Sequence, residues 1–147
     1  MALSDKPGVM PLFDGNGNTR NESGNTHGGL LTVGDKVGEV DVSTIDIFVA
    51  EKGIAVLDFV KIDVEGFELE VFRGMETSVK SGKLRLFTFE YGNKWRSPRP
   101  GHPHGNAFKP ALDMLDGWGF DTFVVGTVCW VQLNGGHYST YFENVKW

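Results

Sequence analysis

Cysteine is almost missing from this chain, and the sequence also lacks the spaced cysteine and histidine pairs that bind zinc. The single cysteine, Cys129, cannot form a disulfide within the chain. The sequence thus argues against a disulfide-stapled secreted scaffold and favours a reducing compartment. Cys129 lies in the apolar stretch VVGTVCWV, which predicts a small buried residue.

Runs of basic residues and long apolar runs are lacking as well. The 147 residues contain 14 Lys and Arg against 19 Asp and Glu, a formal net charge of −5, so nucleic acid is not an expected partner. No segment approaches the roughly 20 apolar residues that span a bilayer. The first residues, MALSDKPG, lack the basic and apolar regions of a signal peptide. We therefore expect no membrane partner and, by default, a cytoplasmic location.

Glycine, by contrast, is abundant in the N-terminal part of the chain. The segment 14–36, DGNGNTRNESGNTHGGLLTVGDK, is rich in Gly and Asn and shows little periodicity, which predicts a long loop. Its GNGN, at 15–18, has the first two glycines of a dinucleotide fingerprint. The third glycine and the following helix are missing, so we assign no phosphate site to this loop.

Apolar runs and helical spacing alternate after residue 40. VDVSTIDIFVAEKGI predicts an extended piece, an N-cap at Ser43 or Thr44, a helix over about 44–52 and a stop at Gly53. The apolar run 55–64 is typical of a parallel strand that is covered on both faces.

The remaining elements continue this alternation. A turn at Gly66 leads into a helix over 67–82, and LRLFTFEY, at 84–91, predicts the next strand. FKPALDMLDGWG predicts a further helix, followed by strands in FDTFVVGT and HYSTYFENV that QLNGG would join as a closing antiparallel pair. Together these elements predict an α/β sheet with right-handed crossovers.

Three carboxylates cluster where the first of these strands gives way to the next helix. DFVKIDVEGFELEVFRG, residues 58–74, contains Asp63, Glu65 and Glu68. In an open α/β sheet, ligands bind beyond the carboxyl ends of the strands, which makes Asp63 the best candidate for a functional residue. Lys61, two residues earlier on the same strand face, is its candidate ion-pair partner. Glu68 falls in the first helical turn, where free N–H groups favour a carboxylate.

This stretch, followed by LRLFTFEY, resembles the signature of the FkbM-type S-adenosylmethionine-dependent methyltransferases. The matching positions are Lys61, Asp63, Glu65, Gly66, Glu68, Gly74 and Glu90. VDVSTIDIFVAEKGI is similar to the segment that precedes the signature in that family, and MALSDKPGVMPLF is similar to the stretch after the third strand of the methyltransferase sheet. The resemblance implies a Rossmann-like class I methyltransferase fold with S-adenosylmethionine as the cofactor.

The resemblance also implies which part of that fold the chain represents. In the family, the first three strands and the Gly-rich turn that holds the cofactor precede the ALSD stretch, which here begins at residue 2. We therefore expect a partial, C-terminal methyltransferase domain over residues 1–147, which alone lacks this turn. Its parts are a strand-end loop with a short strand (1–13), the Gly/Asn-rich loop (14–36) and an α/β core (37–147).

The reaction implied by the resemblance is methyl transfer to a hydroxyl oxygen of a small molecule or glycan. Asp63 would orient the acceptor or balance the charge of the cofactor's sulfonium, and Glu65 would assist as the second catalytic residue. Ser4 and Asp5 map to the loop that approaches the adenine ring and, with Asp63, make up the expected cofactor-binding set.

Substrate contacts are expected at the end of the next strand and in the loop 92–106 that follows it. The candidates are Glu90, Trp95, His102 and His104. The HPH triplet beside a carboxylate would suggest a metal site, but its proline and polar surroundings favour an ordinary loop, so no metal is expected.

Two other classes of function are compatible with the sequence. One is a non-catalytic interaction module derived from a methyltransferase half, which would explain the missing cofactor turn. The other is an α/β transferase that acts on a nucleotide sugar through metal-bound diphosphate. The second alternative predicts metal-dependent affinity for a nucleotide sugar, and the sequence leaves the oligomeric state open.

Overall fold

A computed structural model describes residues 1–13, 35–64, 66–92, 95 and 107–136. These residues form a mixed α/β structure, as the alternation predicted. The elements, in chain order, are β1 (Ala2–Leu3), β2 (Gly8–Phe13), β3 (Lys36–Ser43), α1 (Ile45–Glu51), β4 (Val60–Ile62), α2 (Glu68–Arg73), α3 (Glu76–Lys80), β5 (Phe87–Phe89), α4 (Phe108–Gly117), β6 (Phe123–Val125) and β7 (Trp130–Gln132). None of the helices in the described residues is long and apolar enough to cross a membrane.

The chain divides into two compact units. Unit 1 comprises Met1–Ala55 and Glu70–Ser78, and unit 2 comprises Val56–Leu69 and Val79–Trp147. Among the described residues, unit 1 contains the sheet β1-β3-β2, and unit 2 contains the pairs β4-β5 and β6-β7.

Unit 1 is built around β3, which pairs with β1 in parallel and with β2 in antiparallel orientation. The chain leaves β3 through Thr44, whose Oγ1 accepts a hydrogen bond of 3.0 Å from the backbone N–H of Ile47. This hydrogen bond satisfies one of the free N–H groups at the start of α1. The helix ends at Glu51, just before Gly53, so the predicted N-cap and helix stop are confirmed.

Unit 2 contains the two strands of the predicted signature, β4 and β5. The predicted strands 55–64 and 84–91 are shorter in the structure: β4 and β5 have three residues each, and one further bridge joins Leu57 to Leu84. They are parallel, with Val60 opposite Phe87.

The prediction that β4 is covered on both faces is wrong. Ile62 is buried at 2% exposure, whereas Phe59 is 56% exposed. Side chains alternate between the two faces of a strand, so Lys61 and Asp63 lie on the exposed face with Phe59, opposite Ile62. The open face thus carries two charged residues at alternate positions.

The predicted helix 67–82 is also two helices rather than one. α2 ends at Arg73 and α3 begins at Glu76, although the apolar stripe continues from one helix into the next. The side chain of Asp46, in α1, accepts hydrogen bonds from the backbone N–H groups of Thr77 and Ser78. α3 therefore has an N-terminal cap of its own, supplied from a distant part of the sequence.

The C-terminal part of unit 2 consists of α4 and the hairpin β6-β7. α4 presents a buried face made of Phe108, Ala111, Leu112 and Leu115. The hairpin is antiparallel, and its turn is closed by a 3.0 Å hydrogen bond from the N–H of Gly126 to the carbonyl of Cys129. Its second strand, β7, was not predicted, and the predicted pairing of FDTFVVGT with HYSTYFENV through QLNGG stays a prediction. Cys129 is exposed because it lies in this turn, so its predicted burial is wrong. The predicted strand HYSTYFENV and most of the loop 14–36 lie outside the described residues.

We predict that Leu112→Ala lowers the free energy of unfolding by about 2 to 5 kcal/mol, because it removes buried methyl groups and leaves a cavity. Leu112 is 2% exposed, whereas Leu86 is 56% exposed. The matched variant Leu86→Ala should cost less than about 1 kcal/mol. Urea titration of both variants checks this expectation, and equal losses would contradict the assignment of Leu112 to the core.

Candidate functional site

The parallel pairing of β4 and β5 brings two carboxylates to the same edge of unit 2. Ile62 and Phe89 are register partners and are the last residues of β4 and β5. Asp63 and Glu90 directly follow them. The backbone N–H of Glu90 donates a 3.2 Å hydrogen bond to the carbonyl of Ile62. Both side chains belong to exposed residues, so the edge where the resemblance predicts a ligand carries two accessible acids.

Lys61 is the ion-pair partner of Asp63, as predicted from its position two residues earlier. Its Nζ lies 2.7 Å from Asp63 Oδ2, and the two side chains are 68% and 41% exposed. An exposed pair of this kind contributes little to stability. Its consequence is positional, because the contact restricts the orientation of the Asp63 carboxylate at the strand end.

The electrostatic effect of this cluster is visible at Lys61. The pKa of Lys61 is raised above its ordinary value, first by the hydrogen bond to Asp63, then by the charge of Asp63 and, less strongly, by that of Glu90. Desolvation opposes the shift, and its effect is larger than that of the Glu90 charge. Both carboxylates therefore act on the same ammonium group.

The third carboxylate of the predicted cluster has a structural role. Glu68 is 1% exposed, and its Oε1 accepts hydrogen bonds from the N–H groups of Gly66, at 3.2 Å, and Val64, at 3.4 Å. Gly66 has a φ of 101°, a conformation that favours glycine. Glu68 thus fixes the turn that follows Asp63, which agrees with its predicted place at a helix start. Glu65 lies outside the described residues.

Trp95 is buried and contacts the end of β5. Its indole is 1% exposed, and its Nε1 donates a 2.8 Å hydrogen bond to the backbone carbonyl of Glu90. The ring contacts those of Phe89 and Phe108, with centroids 5.7 Å and 5.6 Å away. These are the contacts of a packing residue, and its role in substrate binding stays a prediction, as do those of His102 and His104, which lie outside the described residues.

Ser4 and Asp5 belong to unit 1, directly after β1. Ser4 is buried at 5% exposure, and its Oγ donates a 3.2 Å hydrogen bond to Oδ1 of Asp5. Asp5 itself is partly exposed. The carboxylate of Asp5 is therefore accessible to a ligand, and it accepts the hydrogen bond from the Ser4 hydroxyl.

The comparison with known families confirms the resemblance. Residues 8–121, more than three quarters of the 147, match the family model of the methyltransferase FkbM domain. The chain belongs to the FkbM methyltransferase family. No curated protein and no solved structure matches the chain. The family match contains Asp63 and Glu90 but begins after Ser4 and Asp5, whose assignment rests on the sequence resemblance.

One residue near this edge of the FkbM domain was not among the predicted site residues. Thr88 is the register partner of Lys61 and is exposed, so its hydroxyl lies on the open face beside the lysine. The signal is present in LFTFE, where a single polar residue alternates with two phenylalanines and precedes the acid by two positions.

The described residues contain no group of three or more His, Cys, Asp or Glu side chains placed to hold a metal ion. The chemistry available at this edge of the FkbM domain is that of two carboxylates, an ammonium and a hydroxyl. Such groups bind and orient hydroxyl-bearing or cationic ligands.

The raised pKa of Lys61 fixes the pH range over which its ion pair contributes. A lysine whose folded pKa exceeds its unfolded value, about 10.4, contributes stability that is fully present below that value. The contribution is lost as the pH rises through the folded pKa. Lys61 is therefore charged throughout the neutral range, and its titration produces no pH dependence there.

We predict that Asp63→Asn lowers the pKa of Lys61 and that Glu90→Gln lowers it by less, because Asp63 supplies both the hydrogen bond and the larger charge effect. NMR titration of the lysine side-chain signals measures both shifts. Asp58→Asn is the matched control, since Asp58 pairs with Arg85 and not with Lys61. A larger decrease in Glu90→Gln than in Asp63→Asn would contradict this order.

Proposed function

We propose that this chain is part of an S-adenosylmethionine-dependent methyltransferase that transfers a methyl group to a hydroxyl oxygen of a small molecule or glycan. The observation that carries the proposal is the pair of exposed carboxylates, Asp63 and Glu90, at the adjacent carboxyl ends of two parallel strands. Ligands bind at this end of open α/β sheets. Family membership supports methyl transfer over the alternative of a nucleotide-sugar transferase.

The proposed fold is a Rossmann-like class I methyltransferase sheet. The support is the connection from β4 through α2 and α3 to β5, which joins two parallel strands by a helical crossover, the repeating unit of such sheets. The C-terminal position of this segment within the sheet stays a prediction, which rests on the resemblance of residues 1–13.

The side chains at the site edge fit a cationic cofactor. One lysine against two carboxylates leaves Lys61, Asp63 and Glu90 with a net charge of −1, and a residual negative charge favours a nearby cation. The role of Asp5 toward the adenosyl part is proposed for unit 1 by itself, where its carboxylate is partly exposed. S-adenosylmethionine, when bound, supplies the methyl group on a positively charged sulfur.

Asp63 would orient the acceptor hydroxyl. A carboxylate that accepts the hydroxyl's hydrogen bond directs an oxygen lone pair toward the electrophile and stands ready to take the proton as the new bond forms. The contact with Lys61 restricts the carboxylate to this edge. Glu90 and Thr88 lie on the neighbouring strand, where they would contact the rest of the acceptor. Glu65 keeps its predicted assisting role.

We predict that Asp63→Asn weakens binding of S-adenosylmethionine by about tenfold, but weakens binding of S-adenosylhomocysteine much less. The two ligands differ by the methyl group and the positive charge on sulfur, and loss of a charged partner that contacts the sulfonium costs about 1.4 kcal/mol, which is tenfold in affinity. Isothermal titration calorimetry measures both affinities. Asp58→Asn, the same change at an exposed position before β4, should alter neither.

The titration is carried out on the 147-residue chain and on a form extended upstream if the gene encodes one. Binding by the extended form alone would place the Gly-rich turn in the upstream extension. Binding by neither form would contradict the proposed function and favour the interaction module. Equal effects of Asp63→Asn on the two ligands would contradict the role of Asp63 in balancing the sulfonium.

A further inference from the structure

Gly74, between α2 and α3, lies against the backbone of Ser4 within unit 1. A Cβ atom at position 74 would be 2.1 Å from the carbonyl oxygen of Ser4 and 3.2 Å from Cβ of Thr44. Gly74 is not among the glycines with positive φ. Glycine is therefore required here for space and not for backbone conformation.

Asp46 holds Gly74 and the first turn of α3. Its backbone N–H donates a 3.0 Å hydrogen bond to the carbonyl of Gly74. Its carboxylate accepts hydrogen bonds from the N–H of Thr77, at 2.9 Å, and from the N–H and Oγ of Ser78, at 2.7 Å and 2.6 Å. One residue of α1 thus fixes a carbonyl within the helix break and the first amides of α3.

Ser4 is held from two sides in unit 1. Its backbone N–H donates a 2.9 Å hydrogen bond to the carbonyl of Ser43, at the end of β3. Its carbonyl oxygen lies where a Cβ at position 74 would overlap it, and its hydroxyl donates a hydrogen bond to Asp5. The position of the Ser4 and Asp5 pair therefore depends on the junction formed by Gly74 and Asp46.

We propose that Gly74 and Asp46 are positioning residues for cofactor binding, which act through Ser4 and Asp5 without touching the cofactor. This inference deepens the proposed function and rests on it. A carboxylate that must accept a hydrogen bond from a hydroxyl or amino group of an adenosyl moiety needs a defined position, because hydrogen bonds weaken steeply outside their normal distance and angle. Gly74 permits that position, and Asp46 keeps Gly74 in place.

We expect Gly74→Ala to weaken S-adenosylhomocysteine binding by about tenfold or more, because the added Cβ displaces the Ser4 carbonyl. It should also accelerate amide hydrogen exchange in the peptide that contains Ser4. The same displacement weakens the hydrogen bond from the Ser4 N–H to the carbonyl of Ser43 in β3. Gly38→Ala is the matched control, since a Cβ there has nothing within 4 Å. Calorimetry and exchange mass spectrometry measure the two effects.

A second variant introduces no overlap and covers the case in which Gly74→Ala does not fold. Asp46→Asn loses the charge that three donors share and should give the same two effects, whereas Asp41→Asn, at an exposed position in β3, should give neither.

A double mutant separates positioning from general destabilisation. If Asp46 acts through Asp5, the double variant of Asp46→Asn and Asp5→Asn loses less affinity than the product of the two single losses. Independent effects on affinity multiply. Multiplying losses, or wild-type affinity and exchange in Gly74→Ala and Asp46→Asn, would overturn the inference. Failure of the wild-type and extended chains to bind S-adenosylhomocysteine would instead overturn the proposed function and, with it, the cofactor role assigned here.

Discussion

The buried carboxylate of Glu68 determines how the chain leaves β4. A carboxylate at 1% exposure needs hydrogen-bond donors, because desolvation of its charge is otherwise costly. Glu68 obtains them from the N–H groups of Val64 and Gly66, and hydrogen bonds to a charged group contribute about 1.5 to 3 kcal/mol. The turn that results sends the chain into α2, and the crossover then allows β5 to return parallel to β4.

The candidate site is a product of this local geometry. Two consecutive parallel strands need a crossover connection. The register of the two strands then determines which residues lie side by side at their carboxyl ends. Here the register of Ile62 with Phe89 places Asp63 next to Glu90. A shift of one residue would move one acid to the opposite face. The turn, the crossover and the register therefore act together to produce one acidic edge.

Local signals explain what the sequence predicted correctly. The N-cap at Thr44, the turn at Gly66 and the extent of α4 depend on neighbours a few residues away, and each has a recognisable residue pattern. The break between α2 and α3 has no such pattern. It depends on Asp46, which lies 32 positions before Ser78 in the sequence, so the uninterrupted apolar stripe predicts one helix.

The same distinction applies to the site. The pairing of Lys61 with Asp63 follows from strand periodicity and was predicted correctly. The different roles of Asp63, which is exposed, and Glu68, which is buried, were only partly predictable. The sequence does not show which of two nearby acids is buried. The burial of Trp95 beneath Glu90 depends on contacts with Phe89 and Phe108, which loop composition does not reveal.

The exposed turn between β6 and β7 has a practical consequence for handling the protein. Cys129 is the only thiol in the 147 residues and is accessible. Oxidation can therefore join two copies of this chain but cannot extend the product beyond a covalent dimer. The same thiol accepts one maleimide fluorophore at a known position, so unit 2 can be labelled stoichiometrically without introducing or removing any residue.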